Sequence, residues 1–452
     1  MVNRRIYCSL LFLSFLLTLP SCSLLRKDRT VKPVFSEVKE QNTYPEAISH
    51  EYLANQLWQG LCYGIIEDHF SPPVASRILA YAFVAQYESL VALEATKTSF
   101  LFDLQVEGAA RDGLSLETKQ WISMLTFLQV GEALLYRPKT LDQHRKLLYN
   151  HLPEDLSLQR AEELASGFTQ QILAIAAQDN YLETRSLPLF VPATRQNVWE
   201  PTPPTYGPAI EPYWGRIRPF WFDSLSLQSF VLPAPFESPE GLHQARDSVY
   251  SVRLQLGEDY LAQAEHWDCN PRQTLSSGHM MSVIKQNNPS GHWVGIAIHV
   301  MDSLSYSFSS QTHVLALMTS AIYDGFIACW RTKYETNVIR PETLINKDLD
   351  RSWRPTIETP LFPEYTSGHS VTSTIASVIL TDYVGDSIAF IDKVNNPLGL
   401  PSRTYSSFTE ASQEAALSRF YSGIHFLPAV LDGIDQGKRI AKAILKKHRQ
   451  DD

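Results

Sequence analysis

The segment from Gln311 to Tyr334 limits the fold more than any other part of this chain. Its apolar side chains recur at helical spacing on two faces, which carry Leu315, Met318, Ile322, Phe326 and Cys329 on one side and Leu317, Ala321 and Ala328 on the other. A helix that is apolar on two faces is stable only where other elements surround it. We therefore predict a long helix buried in the centre of a globular fold. Asp324 falls within the second face, and we expect Arg331, two turns later, to pair with it.

The remaining periodicity is helical as well. Small and apolar residues recur three or four positions apart in the first half, for example in Ile78–Ser89, Trp121–Tyr136 and Ala161–Ile175. No run alternates convincingly as a strand would. We predict an all-α fold, a helical bundle with an N-terminal helical scaffold. At 452 residues the chain can build one large or two ordinary domains, and a net charge of -9 argues against nucleic acid as a partner.

Composition divides the chain further. We assign residues 49–198 to an N-terminal helical region, 199–240 to a connecting segment rich in proline and aromatic residues, and 241–452 to a second helical domain. Proline fixes φ and lacks an N–H donor, so the connecting segment is predicted to be extended and irregular, either as a domain boundary or as a strap packed on the helices. An aromatic surface that contacts glycans is the alternative interpretation of its Trp199, Tyr206, Tyr213 and Trp214.

The N-terminus is predicted to be a targeting segment. Arg4 and Arg5 precede an apolar run from Leu10 to Leu19 that is too short to span a bilayer. The following Leu19-Pro20-Ser21-Cys22 resembles the lipobox of bacterial lipoproteins, which implies a signal peptide over residues 1–22, acylation of Cys22 and a polar tether over 23–48. The resemblance implies a lipid anchor in the bacterial cell envelope, and Ser23 favours the outer membrane. An ordinary signal peptide with an incidental cysteine is the alternative.

Three further cysteines, Cys62, Cys269 and Cys329, are widely spaced. They form neither a disulfide framework nor a zinc-binding spacing, so we interpret them as core thiols and leave one bridge between Cys269 and Cys329 open. His279, in a second Ser-Gly-His, and His292 are interpreted as structural.

The stretch Phe362-Pro363-Glu364-Tyr365-Thr366-Ser367-Gly368-His369 ends one segment, and Val371, Ile375 and Val378 then open another at helical spacing. Ser367, Gly368 and His369 are therefore predicted to lie at a helix start, where free backbone N–H groups and the helix dipole favour an anion. A histidine at that place can transfer protons to a bound group.

Two other pieces of the chain carry matching chemistry. Lys333 is followed after six residues by Arg340-Pro341, and Ser418-Arg419 is followed after five residues by His425. Together with Ser367–His369 they provide three permanent cations, backbone donors and two histidines, with no carboxylate at the motif positions. This set suits a tetrahedral oxyanion, because arginine grips oxyanions through a planar fork and phosphoryl chemistry depends mainly on positioning and charge.

The three pieces resemble the vanadium-dependent haloperoxidases, which share an all-α fold and anion site with the type 2 phosphatidic acid phosphatases and bacterial acid phosphatases. The family pattern is lysine, six residues, arginine-proline; then proline-serine-glycine-histidine; then serine-arginine, five residues, histidine. Every charged and histidine position matches, and the one departure is Thr366 in place of proline. Because Thr366 only precedes the donors, we expect a small effect on the backbone.

The resemblance implies a role for each matched residue. Lys333, Arg340 and Arg419 would hold the equatorial oxygens of the anion, and Ser367 and the Gly368 N–H would complete that shell. His369 would be the acid–base group near the apical oxygen. His425 would be the axial ligand to vanadium, or the nucleophile that forms a phosphohistidine in a phosphatase.

The neighbouring aromatic residues favour one of these two activities. Trp330 and Phe362 resemble aromatic positions that flank vanadate in chloride-oxidising members, although both would also suit a core. We predict a vanadate-dependent haloperoxidase that uses halide and hydrogen peroxide, with vanadate as its cofactor. The alternative is a cofactor-free acid phosphatase that hydrolyses phosphate monoesters, and a glycan-binding surface lipoprotein is the alternative outside enzymes.

Overall fold

The computed structural model describes residues 48–94, 98–106, 113–193, 195–255, 257–269, 273–277, 280–284 and 286–451. Over these residues the regular secondary structure is almost all helical, which confirms the all-α prediction. The helices are α1 His50–Glu67, α2 Pro72–Leu93, α3 Leu116–Leu134, α4 Asp142–Tyr149, α5 Leu158–Ala176, α6 Tyr181–Arg185, α7 Ser224–Gln228, α8 Pro239–Gln255, α9 Glu258–His266, α10 Pro289–Ser303, α11 Phe308–Thr336, α12 Pro341–Asp348, α13 Gly368–Tyr383, α14 Phe408–Tyr421 and α15 Leu427–Asp451.

Two short antiparallel hairpins accompany the helices. Strands β1 Gln273–Ser277 and β2 Met280–Ile284 form the first, and β3 Phe390–Asp392 and β4 Arg403–Tyr405 form the second, in which Asp392 pairs with Arg403. Strands this short carry too few alternating residues to give a readable pattern in the sequence. Gly278 and His279, which belong to the second Ser-Gly-His, lie outside the described residues.

The long central helix predicted from residues 311–334 is α11. It packs between α2 and α13, while α3 and α5 continue the layer beyond α2, and α14 and α15 cover α13. Among the described residues, α11 is also a helix long and apolar enough to cross a membrane, but 94% of its most apolar window is buried in the protein. The apolar faces of α11 therefore pack within the protein core.

Asp324 on α11 binds the connecting segment, so the predicted pair with Arg331 is wrong. The Asp324 carboxylate accepts the backbone N–H groups of Phe220 and Trp221, both at 2.8 Å. Arg331 donates instead to the carbonyl of Gly215 at 2.9 Å. An irregular strap leaves backbone groups unpaired, and buried side chains on the helix beneath satisfy them.

The strap interpretation therefore explains the two tryptophans, Trp199 and Trp214, better than a glycan surface does. Trp199 and Trp214 are almost completely buried, at 1% and 0% exposure. A glycan-binding groove needs tryptophan rings that are open to solvent, and these two rings form part of the packing under the strap. Cys62, Cys269 and Cys329 are free thiols, and Cys269 and Cys329 are buried, so the bridge left open in the sequence does not form.

Asn42–Asp452 form one compact unit. A continuous apolar core extends from α1, α2 and α3 through α11 to α13 and α15. The N-terminal helices thus pack directly on the helices that carry the motif residues.

Candidate active site

Ser367, Gly368 and His369 lie at the start of α13, as predicted. Ser367 is the N-cap residue, and its hydroxyl accepts the N–H of Ser370 at 3.3 Å. The Ser367 N–H donates to the carbonyl of Ala429 on α15 at 3.0 Å. The position of this helix start is therefore tied to α15.

Lys333 is completely buried beneath the loop that leads to α13. Its ammonium donates to the carbonyls of Pro363 at 3.1 Å, Glu364 at 3.0 Å and Thr366. An ammonium has three protons, so these carbonyls occupy all of its donors. Burial, reinforced by the neighbouring Arg340 and opposed by Cys329 and Glu364, lowers the pKa of Lys333 to about 7. Lys333 therefore braces the loop and adds positive charge behind it.

Thr366, the departure from the family pattern, contributes more than the small backbone effect expected. Its hydroxyl donates to Gln436 on α15 at 2.6 Å, a hydrogen bond that proline cannot make. Gln436 donates in turn to the carbonyl of Phe230 at 2.8 Å and to the hydroxyl of Thr332 at 3.1 Å. The loop, the strap and α11 are thus held by one polar network.

Arg340 and His425 meet in the site. One Arg340 nitrogen, Nη1, donates to the carbonyl of Ile424 at 2.9 Å and approaches Nε2 of His425 at 3.2 Å. Nδ1 of His425 lies 2.9 Å from the Glu364 carboxylate, which also accepts the N–H of Phe426 at 2.9 Å. Since Nδ1–H donates to Glu364, Nε2 carries the lone pair that faces Arg340.

Electrostatics keep His425 neutral. Burial lowers its pKa well below the ordinary value, and the charges of Arg340, Lys333 and Arg419 add to that effect. Burial also raises the pKa of Glu364 to about 7, with Arg340 and Lys333 opposing the rise. A neutral imidazole with a fixed tautomer is the form that can bind a metal or attack phosphorus.

Arg419, on α14, also lines the pocket and is 1% exposed. Its Nη1 donates to the carbonyl of Trp267, and its Nη2 lies 3.8 Å from the carboxylate of Asp268. Both partners come from the turn after α9. This turn therefore fixes the direction in which the guanidinium points.

His369 is partly buried, and its Nε2 has no hydrogen-bond partner among the described residues. Burial lowers its pKa well below the ordinary value, and the nearby charges of Arg419 and His292 lower it further, while the Trp267 carbonyl acts in the opposite direction. The imidazole is therefore neutral, with one nitrogen available to exchange a proton.

The predicted residues surround one pocket. Trp330, Phe362, Gly368, His369, Arg419 and His425 line it directly. The Trp330 and Phe362 rings are 4.8 Å apart between centroids, and the Lys333 ammonium and Arg340 guanidinium lie 5.1 Å and 4.9 Å from the Phe362 ring. Lys333, Arg340 and Ser367 thus stand immediately behind the lining. Cys22 lies outside the described residues.

Sequence reasoning missed several residues of the pocket. Glu364 and Asp268 bring carboxylates to the two sides of the site from positions outside the motifs. Ser71, Pro72 and Ile210 line the pocket from the first half of the chain, which we expected to be scaffold only. Glu364 could have been noticed as an acid beside the motif, but Ile210 and Ser71 carry no local signal.

Fold and pocket together define a class of protein. It is an all-α protein in which two neutral histidines, His369 and His425, and three buried basic side chains, Lys333, Arg340 and Arg419, gather around one pocket. The family model described as the VCPO second helical-bundle domain matches residues 313–451, which include Lys333, Arg340, His369 and His425.

Solved structures agree with that class. A structure described as the first bacterial vanadium-dependent iodoperoxidase is 34% identical, with 89% of this chain and 98% of that chain covered at a TM-score of 0.78. The chain belongs to the vanadium-dependent haloperoxidase family, and the resemblance found in its motifs is confirmed. It is a haloperoxidase-type enzyme.

More distant structures share the fold. A holo-type and an apo-type bacterial vanadium-dependent chloroperoxidase are 14% and 15% identical, and each match covers 85% of this chain and 94% of that chain at a TM-score of 0.66. A search of curated proteins finds no match.

Proposed function

We propose that the chain oxidises halide with hydrogen peroxide at a vanadate held between His425 and the buried cations. The observation that carries the proposal is the orientation of His425. Its Nδ1–H is held by Glu364 at 2.9 Å, so its Nε2 lone pair is directed toward the cationic side of the site. A similar carboxylate-to-histidine arrangement orients histidine ligands at metal centres generally.

The residues present fit an oxyanion of this kind. Nη2 of Arg340 and Nε of Arg419 are buried and have no hydrogen-bond partner within the described part of the chain. Buried donors are normally satisfied, so these atoms match oxygens of a bound group. Arg340 and Arg419 would hold its oxygens, His425 Nε2 would bind its central atom, and Lys333 would add charge from behind.

Bound vanadate would supply a Lewis acid that activates hydrogen peroxide for oxygen transfer to halide. The protein's part is proton transfer and exclusion of water. His369 is neutral, so its Nε2 can accept a proton as peroxide binds and return it to the departing oxygen. Trp330 and Phe362 make one wall apolar, which favours a weakly hydrated halide over a strongly hydrated phosphate ester.

The test is an activity assay of the purified mature chain with iodide, bromide and chloride, each with peroxide and with or without orthovanadate. Iodide comes first because the 34% identical structure is described as an iodoperoxidase. A phosphatase substrate is run in parallel. Halide oxidation that requires vanadate supports the proposal, whereas ester hydrolysis that vanadate inhibits would favour the phosphatase alternative.

A matched pair of variants tests the site itself. Arg419→Gln removes a buried guanidinium at the pocket and should lower vanadate-dependent turnover by about 100-fold or more. Arg439→Gln removes a side chain that is 42% exposed on α15 and should leave turnover unchanged. Equal activity in the two variants would contradict the assigned site.

We also propose that the mature chain is anchored in the cell envelope through a lipid on Cys22. Metabolic labelling with radioactive palmitate should mark the wild-type chain and leave Cys22→Ala unlabelled. Labelling of both forms at equal strength would show that the lipid is attached elsewhere.

A further inference from the structure

A buried cluster of two histidines and one aspartate lies behind the Arg419 side of the pocket. Asp392, at the end of β3, places Oδ2 at 2.8 Å from Nε2 of His266 and at 2.7 Å from Nε2 of His292. The three residues are 1%, 2% and 0% exposed, respectively. None of them belongs to the oxyanion motifs or lines the pocket.

The segment His266–Cys269 connects this cluster to the pocket. The Trp267 ring stacks on the His292 ring with centroids 4.5 Å apart, and the Sγ of Cys269 lies 3.6 Å from Nδ1 of His292. The carbonyl of His266 accepts a hydrogen bond from Asn395 at 3.0 Å. Three residues of the segment, His266, Trp267 and Cys269, are therefore held by contacts with His292 or with the neighbouring Asn395.

The same segment holds Arg419. The Trp267 carbonyl accepts Nη1 of Arg419, Asp268 lies 3.8 Å from Nη2, and Cys269 lines the pocket itself. A displacement of this turn would move the acceptors that direct the guanidinium. Because a planar guanidinium binds oxyanions well only in the right orientation, such a displacement would weaken the site.

We infer that His266, Asp392 and His292 form a positioning cluster that holds the segment His266–Cys269 and, through it, the orientation of Arg419 toward the oxyanion. The inference rests on the proposed oxyanion site and assigns these three residues a role for it. They touch neither the substrate nor the anion, so they are positioning residues rather than catalytic ones.

The charge of Asp392 is what makes the cluster rigid. Burial alone would lower the pKa of His292, but the Asp392 carboxylate and its hydrogen bond outweigh burial and raise it to about 10. A protonated His292 and an ionised Asp392 then form a buried pair that is much stronger than the neutral equivalent. An amide at position 392 keeps the shape and removes this attraction.

The distances favour hydrogen bonds over a metal site at this cluster. The three ligand atoms lie within 4.8 Å of one another, a spacing that could hold a metal ion. Around a tetrahedral zinc with bonds of about 2.0–2.1 Å, however, neighbouring ligand atoms are about 3.3 Å apart. The separations of 2.7 Å and 2.8 Å are those of imidazole N–H groups that share one carboxylate oxygen.

The test compares Asp392→Asn with Asp386→Asn, which changes an exposed aspartate six positions earlier. Phosphate binding is measured by calorimetry on the mature chain, since phosphate is a tetrahedral oxyanion that the proposed site should bind in a vanadate enzyme and in a phosphatase alike. Asp392→Asn should weaken phosphate binding by about 10-fold or more, as loss of an outer-shell partner commonly does, and Asp386→Asn should not. At saturating vanadate, kcat of Asp392→Asn should fall by a smaller factor than its phosphate affinity, because no side chain of the pocket is removed, although the Trp267 carbonyl that also bonds His369 moves with the segment.

A purely structural role predicts another pattern. It would lower the melting temperature of Asp392→Asn and leave the phosphate dissociation constant of the folded protein unchanged, which would overturn the inference. Stoichiometric metal in wild type that disappears in Asp392→Asn would overturn it too. If Asp392→Asn does not fold, His266→Gln takes its place with the same expected loss of phosphate affinity.

The outcomes separate this inference from the proposed function. Phosphate binding that Asp392→Asn weakens, together with no halide oxidation by wild type, would support the cluster and contradict the haloperoxidase proposal. Halide oxidation by wild type, together with equal phosphate affinity in Asp392→Asn and Asp386→Asn, would support the haloperoxidase proposal and contradict the role of the cluster. Absence of phosphate and vanadate binding in wild type would contradict both.

Discussion

Glu364 decides which nitrogen of His425 is available. A histidine presents either nitrogen as acceptor, and the partner of the other nitrogen selects between them. Here the carboxylate binds Nδ1–H at 2.9 Å and also receives the N–H of Phe426, so the ring and the backbone that carries it are fixed together. The site depends on this acid as much as on its cations.

Replacement of Glu364 by glutamine should therefore weaken the site while preserving the fold. The amide oxygen can still accept Nδ1–H, but the negative charge that favours this tautomer is lost. We expect the orthovanadate concentration for half-maximal halide oxidation to rise by about 10- to 100-fold. Glu335→Gln, at an exposed position on α11, is the matched control. A shift below twofold in Glu364→Gln would contradict this role.

Two buried groups make oxyanion binding depend on pH. The pKa of Lys333 is lowered to about 7 and that of Glu364 is raised to about 7, in both cases first by burial. Below this pH Lys333 is charged and Glu364 is neutral, which favours an anion that is held by charge alone and does not bind His425. Above this pH Lys333 is neutral and Glu364 is negative, which disfavours binding of such an anion. His369 and His425 have pKa values well below their ordinary range and stay neutral across this interval.

Sulfate is the probe for this effect, because it remains a dianion throughout. We expect its dissociation constant to increase by about 10-fold or more between about pH 6 and about pH 8. In Glu364→Gln the increase should be smaller, since only Lys333 still titrates. A sulfate affinity that is independent of pH would show that neither group changes charge in this interval.

At the scale of elements, the close approach of α15 to α13 places the helix start. A Cβ atom at Gly437 would lie 2.5 Å from the carbonyl oxygen of Val371, and one at Gly433 would lie 3.0 Å from that of Ser367. Backbone atoms cannot move aside as a flexible side chain can. The two glycines, Gly433 and Gly437, thus set the distance between α15 and α13.

Gly437→Ala should push these helices apart and lower the free energy of unfolding by about 1–3 kcal/mol. The measurement is urea denaturation followed by circular dichroism. Gly241→Ala in α8 is the matched control, because its nearest neighbour would lie 3.9 Å away, and it should raise stability by about 0.5–1 kcal/mol. Similar changes in both variants would mean that contact with Val371 is unimportant.

At the scale of the molecule, the site helices and the N-terminal helices share one core. The residues of α2 are almost all buried, and α2 packs on α11, the helix that carries Lys333. Ser71 at the start of α2 and Ile210 in the strap also line the pocket. The first half of the chain therefore completes both the core and the site.

Residues 241–452 expressed alone should consequently fail to fold cooperatively. The face of α11 that packs on α2 would be exposed, and buried apolar surface contributes about 25 cal/mol per Å². We expect a broad thermal transition and strong binding of a hydrophobic dye by the fragment, against a sharp transition for residues 48–452. A sharp transition with sulfate binding in the fragment would establish an independent C-terminal domain.

The sequence by itself determined the helical nature of this protein, the buried central helix, the start of α13 and the order of the cations and histidines. These features depend on spacing over a few residues, and helical periodicity and capping act at that range. Only the tertiary structure decided that Glu364 orients His425, that Asp268 and Trp267 direct Arg419, and that Asp324 binds the strap instead of Arg331. Those partners come from loops and strap segments with no periodicity, so their positions depend on packing between residues far apart in the chain.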